Sequence, residues 1–256
     1  MNQAVNNKIE IMQAGGKILA NMLAKLRSMI KPGLDVYDLE IAFIDMCSKA
    51  NAYPACKGYR VAGLPAFPTG LCIGVNSESV HCYPKKGEIL KEGDIVAVDT
   101  VIKYQGYHVD SAITVAVGEV SQENQRFINT AKLAANSAFK EAIVGNHIGD
   151  IGYAMSSIMR IAGYNVLVDF VGHGIGEKMH QYPDIPCYGK KGQGLKLEDG
   201  MTLAIEALCC QGKNEVEYVN PRDWQTRMID GKNFAIFEHT VIVRKNQPEI
   251  LTLSAN

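Results

Sequence analysis

The 256 residues include 26 Lys and Arg against 27 Asp and Glu, a formal net charge of -1, with 47% hydrophobic and 21% charged residues. This balance lacks the basic excess or dense Lys/Arg stripe that neutralises phosphates, which argues against nucleic-acid binding, and the composition is that of a globular chain able to bury a core. The opening residues Met1 to Lys8 contain no apolar run suited to a signal peptide, and the longest uncharged stretch, Val61 to Ser77, is interrupted by Gly63, Pro65, Pro68, Gly70 and Gly74. That stretch reads as a loop and not as a membrane helix, so a soluble, cytoplasmic protein is expected.

In chain order, Ile11, Ile18, Met22, Leu26 and Met29 recur at helical spacing until Pro32-Gly33 stops the pattern. Asp35 with Asp38 resembles a capping box, and Leu39, Phe43, Met46 and Cys47 form one face of a second helix. After the Gly/Pro-rich loop, the β-branched runs Ile95 to Val101 and Tyr107 to Val117 flank Lys103-Tyr104-Gln105-Gly106, which predicts a hairpin. A helix from about Gln122 to Val144, a Gly145 break, a shorter helix from Asp150 to Ala162, and strands at Val166 to Val171 and Met201 to Leu208 follow. Asp230-Gly231 predicts a further hairpin turn feeding a strand from Phe234 to Val243.

The second half repeats the first. Leu90 to Asp99 lies over Leu197 to Glu206, Asp110 to Val115 over Glu238 to Val243, and Pro32 to Leu39 over Val144 to Ile151. Asp99 thereby falls on Glu206 and Asp110 on Glu238. A carboxylate inside an apolar strand is expensive to bury unless it is paired or metal-bound, and four at repeat-equivalent positions ask for one cause. If the hairpin turn centres between Tyr104 and Gln105, Asp99 and Asp110 are direct cross-strand partners and repel one another unless a cation lies between them. A pair of divalent metals accounts for this better than four separate salt bridges.

An imidazole added to oxygen ligands favours transition metals. His173 sits in Val-Gly-His-Gly-Ile-Gly, where small neighbours permit close approach of a ring and a substrate backbone; His180 follows it, and His81 precedes the first hairpin. His108, His147 and His239 read as structural or surface residues. The seven cysteines are odd in number and form no Cys-x-x-Cys pair, which argues for buried thiols in a reducing compartment. Cys82 beside His81 reads as one of these thiols and not as a nucleophile.

The set Asp99, Asp110, His173 in Gly-His-Gly-Ile-Gly, Glu206 in Ala-Ile-Glu and Glu238 in Phe-Glu-His-Thr resembles the type I methionine aminopeptidases over essentially the whole chain. The resemblance implies an α+β pita-bread fold forming one catalytic domain over residues 1–256. Its two pseudo-symmetric halves, about 1–118 and 119–256, form a curved antiparallel sheet with helices on the outer face. It implies removal of the N-terminal methionine from nascent proteins and peptides with a small second residue, through a metal-bound hydroxide held by two divalent ions (Co, Mn, Fe(II) or Zn).

In this resemblance Asp99, Asp110, His173, Glu206 and Glu238 are the ligands, and Glu206 also moves the proton. His180 holds the substrate carbonyl and His81 the leaving amide. Cys56, Tyr59, Phe67, Cys72, Met179 and Trp224, together with His81 and His180, bind the substrate. The short step from Glu206 to Glu238 leaves no room for the helical insertion of type II enzymes. A monomer acting on nascent chains, with transient ribosome association, is the family expectation.

Several positions depart from the family pattern. Cys82-Tyr83-Pro84 follows His81 where glycine is usual, Ala207 replaces proline, Gln181-Tyr182 replaces two acids, Met179 replaces an aromatic, and Arg60 to Pro65 is an insertion beside the pocket. These changes spare every ligand and bear on rate and second-residue preference. Two rival readings are a proline-directed aminopeptidase or prolidase, which normally carries a large N-terminal domain, and a silent pita-bread protein that binds peptides, which would be expected to have lost ligands.

Overall fold

A computed structural model describes residues 3–253; Met1, Asn2 and residues 254–256, which belong to the predicted 1–256 domain, lie outside that description. Four helices and twelve strands follow in the order α1 (Gln3–Met29), α2 (Val36–Lys49), β1 (Tyr53–Pro54), β2 (Cys72–Val75), β3 (Ile95–Tyr104), β4 (Tyr107–Ala116), α3 (Gln122–Lys140) and α4 (Ile148–Ile161). The chain continues through β5 (Asn165–Val166), β6 (Val171–Gly174), β7 (Gln181–Pro186), β8 (Thr202–Cys210), β9 (Val216–Tyr218), β10 (Thr226–Met228), β11 (Phe234–Ile242) and β12 (Glu249–Ile250). The main sheet runs β1-β3-β4-β11-β8-β6-β7 with antiparallel neighbours throughout, an α+β arrangement. Among the described residues no helix is long and apolar enough to cross a membrane.

Helix starts follow local chemistry. Asp35 caps α2, its Oδ1 accepting from Tyr37 N at 3.0 Å and its Oδ2 from Gly87 N at 2.9 Å. Asp150, in the first turn of α4, accepts from His147 N at 2.7 Å and Gly192 N at 2.9 Å, which puts His147 at that helix junction. Leu19, Leu26, Leu39 and Phe43 of α1 and α2 are wholly buried with the inner residues of β2 to β4. Phe127, Ala131 and Ala138 of α3 are buried with Met155 and Met159 of α4 and with β8 and β11.

Several predicted boundaries shift. The first helix begins at Gln3, ahead of the first strong apolar repeat. The third ends at Lys140 and not near Val144, because residues 143 and 144 leave it to pair with Arg244, with Val144 N on Arg244 O at 3.0 Å. The predicted strand Val166 to Val171 is two strands separated by a bend at residues 168–169. Asp230-Gly231 is a turn, with Gly231 at φ 69°, yet it joins no hairpin: β10 pairs with β9 in a separate small sheet, while β11 pairs with β8, β4 and β12. The loop reading of Val61 to Ser77 also misses β2, which pairs with β3.

The β3–β4 hairpin corrects the expected pairing of the aspartates. The turn residues are Gln105 (φ 45°) and Gly106 (φ 96°), both in the left-handed region that a two-residue hairpin turn of this kind requires. The turn therefore centres one residue later than expected, so Asp99 lies opposite Ala112, and Asp110 opposite Val101. The two carboxylates are diagonal neighbours on one face and not directly opposed. In β8 and β11 the equivalent acids, Glu206 and Glu238, are direct partners.

The join between β4 and β11 is unusual. Only Glu238 with Ala112 and His239 with Ser111 pair along it. Elsewhere hydroxyls stand in for the ladder. Thr240 Oγ1 accepts from Asp110 N at 2.8 Å and donates to Asp110 O at 2.9 Å, while Thr114 Oγ1 accepts from Ile236 N and donates to Ile236 O, each at 2.8 Å. Ser111 Oγ donates to Glu238 O at 2.8 Å. The backbone groups of Asp110 and Ile236, which the splayed ladder would orphan, thus find side-chain partners.

Candidate active site

Adjacent strands bring the five predicted ligands to one place: Asp99 on β3, Asp110 on β4, His173 on β6, Glu206 on β8 and Glu238 on β11 all line a single cavity of about 310 Å³. Single ligand atoms of Asp110, His173 and Glu238 lie within 4.8 Å of one another. His173 Nε2 is 3.7 Å from Asp110 Oδ2 and 3.5 Å from Glu206 Oε1, and its Nδ1 lies 3.0 Å from the carbonyl oxygen of Gly174. A carbonyl only accepts, so Nδ1 carries the hydrogen and the lone pair of Nε2 faces the carboxylates, the tautomer a metal ligand needs.

The electrostatics of the cluster are those of carboxylates without a counter-charge. Burial pushes Asp99 up to about 7, against a hydrogen bond from Asp110 that opposes the rise. Burial, then the charge of Asp99, holds Asp110 well above the usual carboxylate range. Burial, then Asp99, does the same to Glu206, and burial, then Asp110 and Glu206, to Glu238. Asp99 Oδ1, Asp110 Oδ1 and Glu238 Oε1 are buried without a hydrogen-bond partner. Burial together with the neighbouring His180 drives His173 down to about 4, so the imidazole is neutral. Orphaned carboxylate oxygens beside a neutral imidazole are the donor set of a divalent transition metal, and the residues fit such ions.

Gly172 and Gly174 do not open room for substrate in the way their spacing first suggested. A Cβ at Gly172 would lie 2.6 Å from Ala204 O, and one at Gly174 would strike Tyr182 O. These glycines let β6 pack against the protein's own backbone, which sets His173 in place.

All eight predicted substrate-binding residues also line the cavity. His81, at φ 62°, sits in a conformation uncommon for a side-chain-bearing residue, its ring edge-on to Phe170 (5.0 Å) and Trp224 (5.8 Å). Burial, then His180, lowers His81 to about 4. His180 packs edge-on to His173 at 4.4 Å and meets the Tyr59 hydroxyl through Nδ1 at 2.9 Å. Phe67 and Trp224 stand edge-on at 5.4 Å, and Cys56, Cys72 and Met179 complete the apolar wall. The seven cysteines are free and buried; the Cys82 thiol, raised to about 12 by burial and then Glu78, donates to Thr226 O at 3.0 Å, as suits a packed thiol.

Sequence reasoning missed several lining residues. Asp169 lies in the bend that interrupts the predicted strand and Phe170 follows it, and Val61 comes from the insertion. Tyr83, noted only as a departure, donates to Asp223 Oδ2 at 2.8 Å and stands edge-on to Phe67 at 6.0 Å, while Asp223 Oδ1 accepts from Trp224 N at 2.8 Å. Trp224 Nε1 in turn donates to Pro65 O at 2.8 Å, so the insertion is tied to the pocket wall. No spacing rule signals such a chain of contacts, because its members come from three separate loops.

Comparison with known proteins gives the same direction. Residues 10–245 match metallopeptidase family M24. The methionine aminopeptidase of Clostridium acetobutylicum is 39% identical over 97% of this chain and 97% of its own. The crystal structure of the methionine aminopeptidase from Thermotoga maritima superposes with a TM-score of 0.92 at 36% identity, covering 97% of each chain. A prolidase from Pyrococcus furiosus gives a TM-score of 0.75 at 18% identity over 65% of its chain, a likeness of fold alone.

Proposed function

The chain belongs to metallopeptidase family M24, and from that premise we propose that it is a methionine aminopeptidase whose two divalent ions are held by Asp99, Asp110, His173, Glu206 and Glu238. It is a hydrolase that removes N-terminal methionine from peptides and nascent chains. The observation that carries this reading is the juxtaposition, in one cavity, of buried carboxylate oxygens lacking partners with a sulfur- and aromatic-lined apolar slot. Such a slot suits a thioether side chain.

When bound, the ions supply Lewis-acid chemistry, acidifying a water and polarising the first peptide carbonyl. Asp110 and Glu238 would hold them from the two sides of the β4–β11 join, with Asp99, His173 and Glu206 completing the donor set. Cobalt, manganese, iron(II) and zinc all suit this mixture of oxygen and imidazole donors. Glu206 takes a proton at its carboxylate from the attacking water and returns it to the departing amine. His180, neutral through burial, directs Nε2 to the substrate carbonyl and the oxyanion that forms from it. His81 meets the leaving amide, its ring fixed by Phe170 and Trp224. Cys56, Tyr59, Phe67, Cys72, Met179 and Trp224 hold the methionine. Residues 1–256 act as one catalytic domain of two pseudo-symmetric halves divided near residue 118, as a cytoplasmic monomer that meets nascent chains, with transient ribosome association.

The test is direct. Purified protein loaded with Mn, Co or Fe(II) is expected to release methionine from Met-Ala and Met-Gly peptides but not the first residue of Xaa-Pro peptides, and Asp99→Ala to abolish release. Wild-type protein that binds the metal and leaves Met-Ala intact overturns the reading; cleavage confined to Xaa-Pro peptides replaces it with the prolidase class. Metal analysis of the active form is expected to give two ions per chain.

A further inference from the structure

We propose that Tyr59 is a positioning residue that fixes the tautomer of His180: its phenol donates to Nδ1, so that Nε2 carries the ring hydrogen and points it into the cavity. The inference rests on the reading above that His180 faces the substrate carbonyl.

Tyr59 hydroxyl and His180 Nδ1 are 2.9 Å apart, with the rings edge-on at 5.3 Å between centroids. A neutral imidazole has one donor and one acceptor nitrogen, and which is which follows from the partners each finds. Burial, and after it Cys56, raises the Tyr59 phenol, which therefore keeps its hydrogen. Among the described residues that hydrogen has one acceptor in reach, His180 Nδ1. The opposite arrangement, Nδ1–H donating to the phenol, leaves the phenol hydrogen without a protein acceptor and turns the lone pair of Nε2 toward the lone pairs of a substrate carbonyl. Donation from Tyr59 avoids both faults.

The backbone around Tyr59 is held as a positioning role requires. Tyr59 N–H donates to Cys56 O at 3.0 Å, its carbonyl accepts from Phe67 N at 2.8 Å, and Gly58 N donates to Phe67 O at 2.8 Å. Residues 60–65 loop out between these fixed ends, and Trp224 Nε1 ties Pro65 O from the other side. The insertion thus leaves Tyr59 and Phe67 paired, with the phenol presented to His180.

The experiment uses full-length protein loaded with zinc, a diamagnetic ion, and labelled with ¹⁵N-histidine. Its nitrogen shifts are expected to show His180 protonated at Nε2 and bare at Nδ1, and Tyr59→Phe to give a mixed or exchanging signal. With a Met-Ala peptide, Tyr59→Phe is expected to lower kcat about tenfold with KM changed less than about twofold, the mark of an interaction made in the transition state. In a His180→Ala background the same change is expected to alter kcat less than about twofold. Wild-type protonation at Nδ1, unaltered shifts in a folded Tyr59→Phe protein, or a full tenfold further loss in His180→Ala each overturn the proposal. Wild-type protein with the expected shifts but no methionine release would overturn the functional reading and leave the tautomer assignment standing.

Discussion

Glu206 and Glu238 lie directly opposite one another on β8 and β11, and Glu206, after burial and Asp110, helps to hold the Glu238 carboxyl well above its usual range. For the metal-free protein, Glu238 is thus a strained group. A carboxyl whose folded value is raised favours the fold only at pH below its unfolded value and disfavours it at neutral pH. Glu238→Gln is expected to raise the melting temperature of chelator-treated protein by about 2 to 8 °C, while removing the increase that added Mn or Co gives the wild type. Calorimetry with and without metal checks both halves; an apoprotein melting lower than wild type would contradict them.

Thr240→Val keeps shape and removes the hydroxyl that satisfies both backbone groups of Asp110. Leaving buried backbone groups unpaired is expected to destabilise the protein by about 2 to 4 kcal/mol. Because Asp110 belongs to the proposed metal site, metal affinity should fall by roughly 10- to 100-fold. Denaturant unfolding and metal titration measure these effects separately. Thr114→Val is expected to match the stability loss with a smaller effect on metal, since Ile236 is no ligand.

Most of the sheet, and the acids that line the cavity, are legible in the sequence, because apolar periodicity and in-strand acids are one-dimensional signals. Asp99, Asp110, Glu206 and Glu238 stand out as acids inside apolar runs, and the helices by spacing and caps. The exact pairing of Asp99 was not legible. It depends on which two residues take positive φ in the turn, and the choice of Gln105 with Gly106 shifts the register by one step. The loops around the cavity were opaque for another reason: Tyr83, the Asp223-Trp224 pair and Pro65 are linked only in space, and β2, four residues long, is too short for a periodicity.

Trp224→Phe tests that loop network. It keeps an aromatic wall against Phe67 but loses the bond from Nε1 to Pro65 O. A hydrogen bond of this kind contributes about 1 kcal/mol. The KM for Met-Ala-Ser is therefore expected to rise about five- to tenfold with kcat within twofold, measured by steady-state release of methionine. Equal loss in kcat would place Trp224 in the chemistry and not in the wall.

Glu249 gives a pH signature away from the site. Arg244 reaches its Oε2 through Nε at 3.0 Å and Nη2 at 2.7 Å, and Gln13 donates to Oε1. Although burial acts to raise it, the bonds from Gln13 and Arg244 prevail and hold this carboxylate below its usual range. A depressed acid contributes stability that is present above its unfolded value and lost as pH falls through its folded value. Glu249→Gln is accordingly expected to melt lower than wild type at pH 7, with the two curves converging below about pH 4. A gap that stays constant down to pH 3 would show that packing, and not charge, is at stake.

The hydroxyl-bridged join between β4 and β11 has a mechanical meaning. A direct amide-to-carbonyl ladder clamps two strands at a set spacing, whereas the threonine hydroxyls inserted on either side of the two directly paired rungs give the pair some play. Asp110 and Glu238 stand on the two lips of that slit. Were ions of different radius to bind there, the tilt of Thr240 and Thr114 would take up part of the adjustment. Compliance of this kind would let one site accept more than one divalent ion.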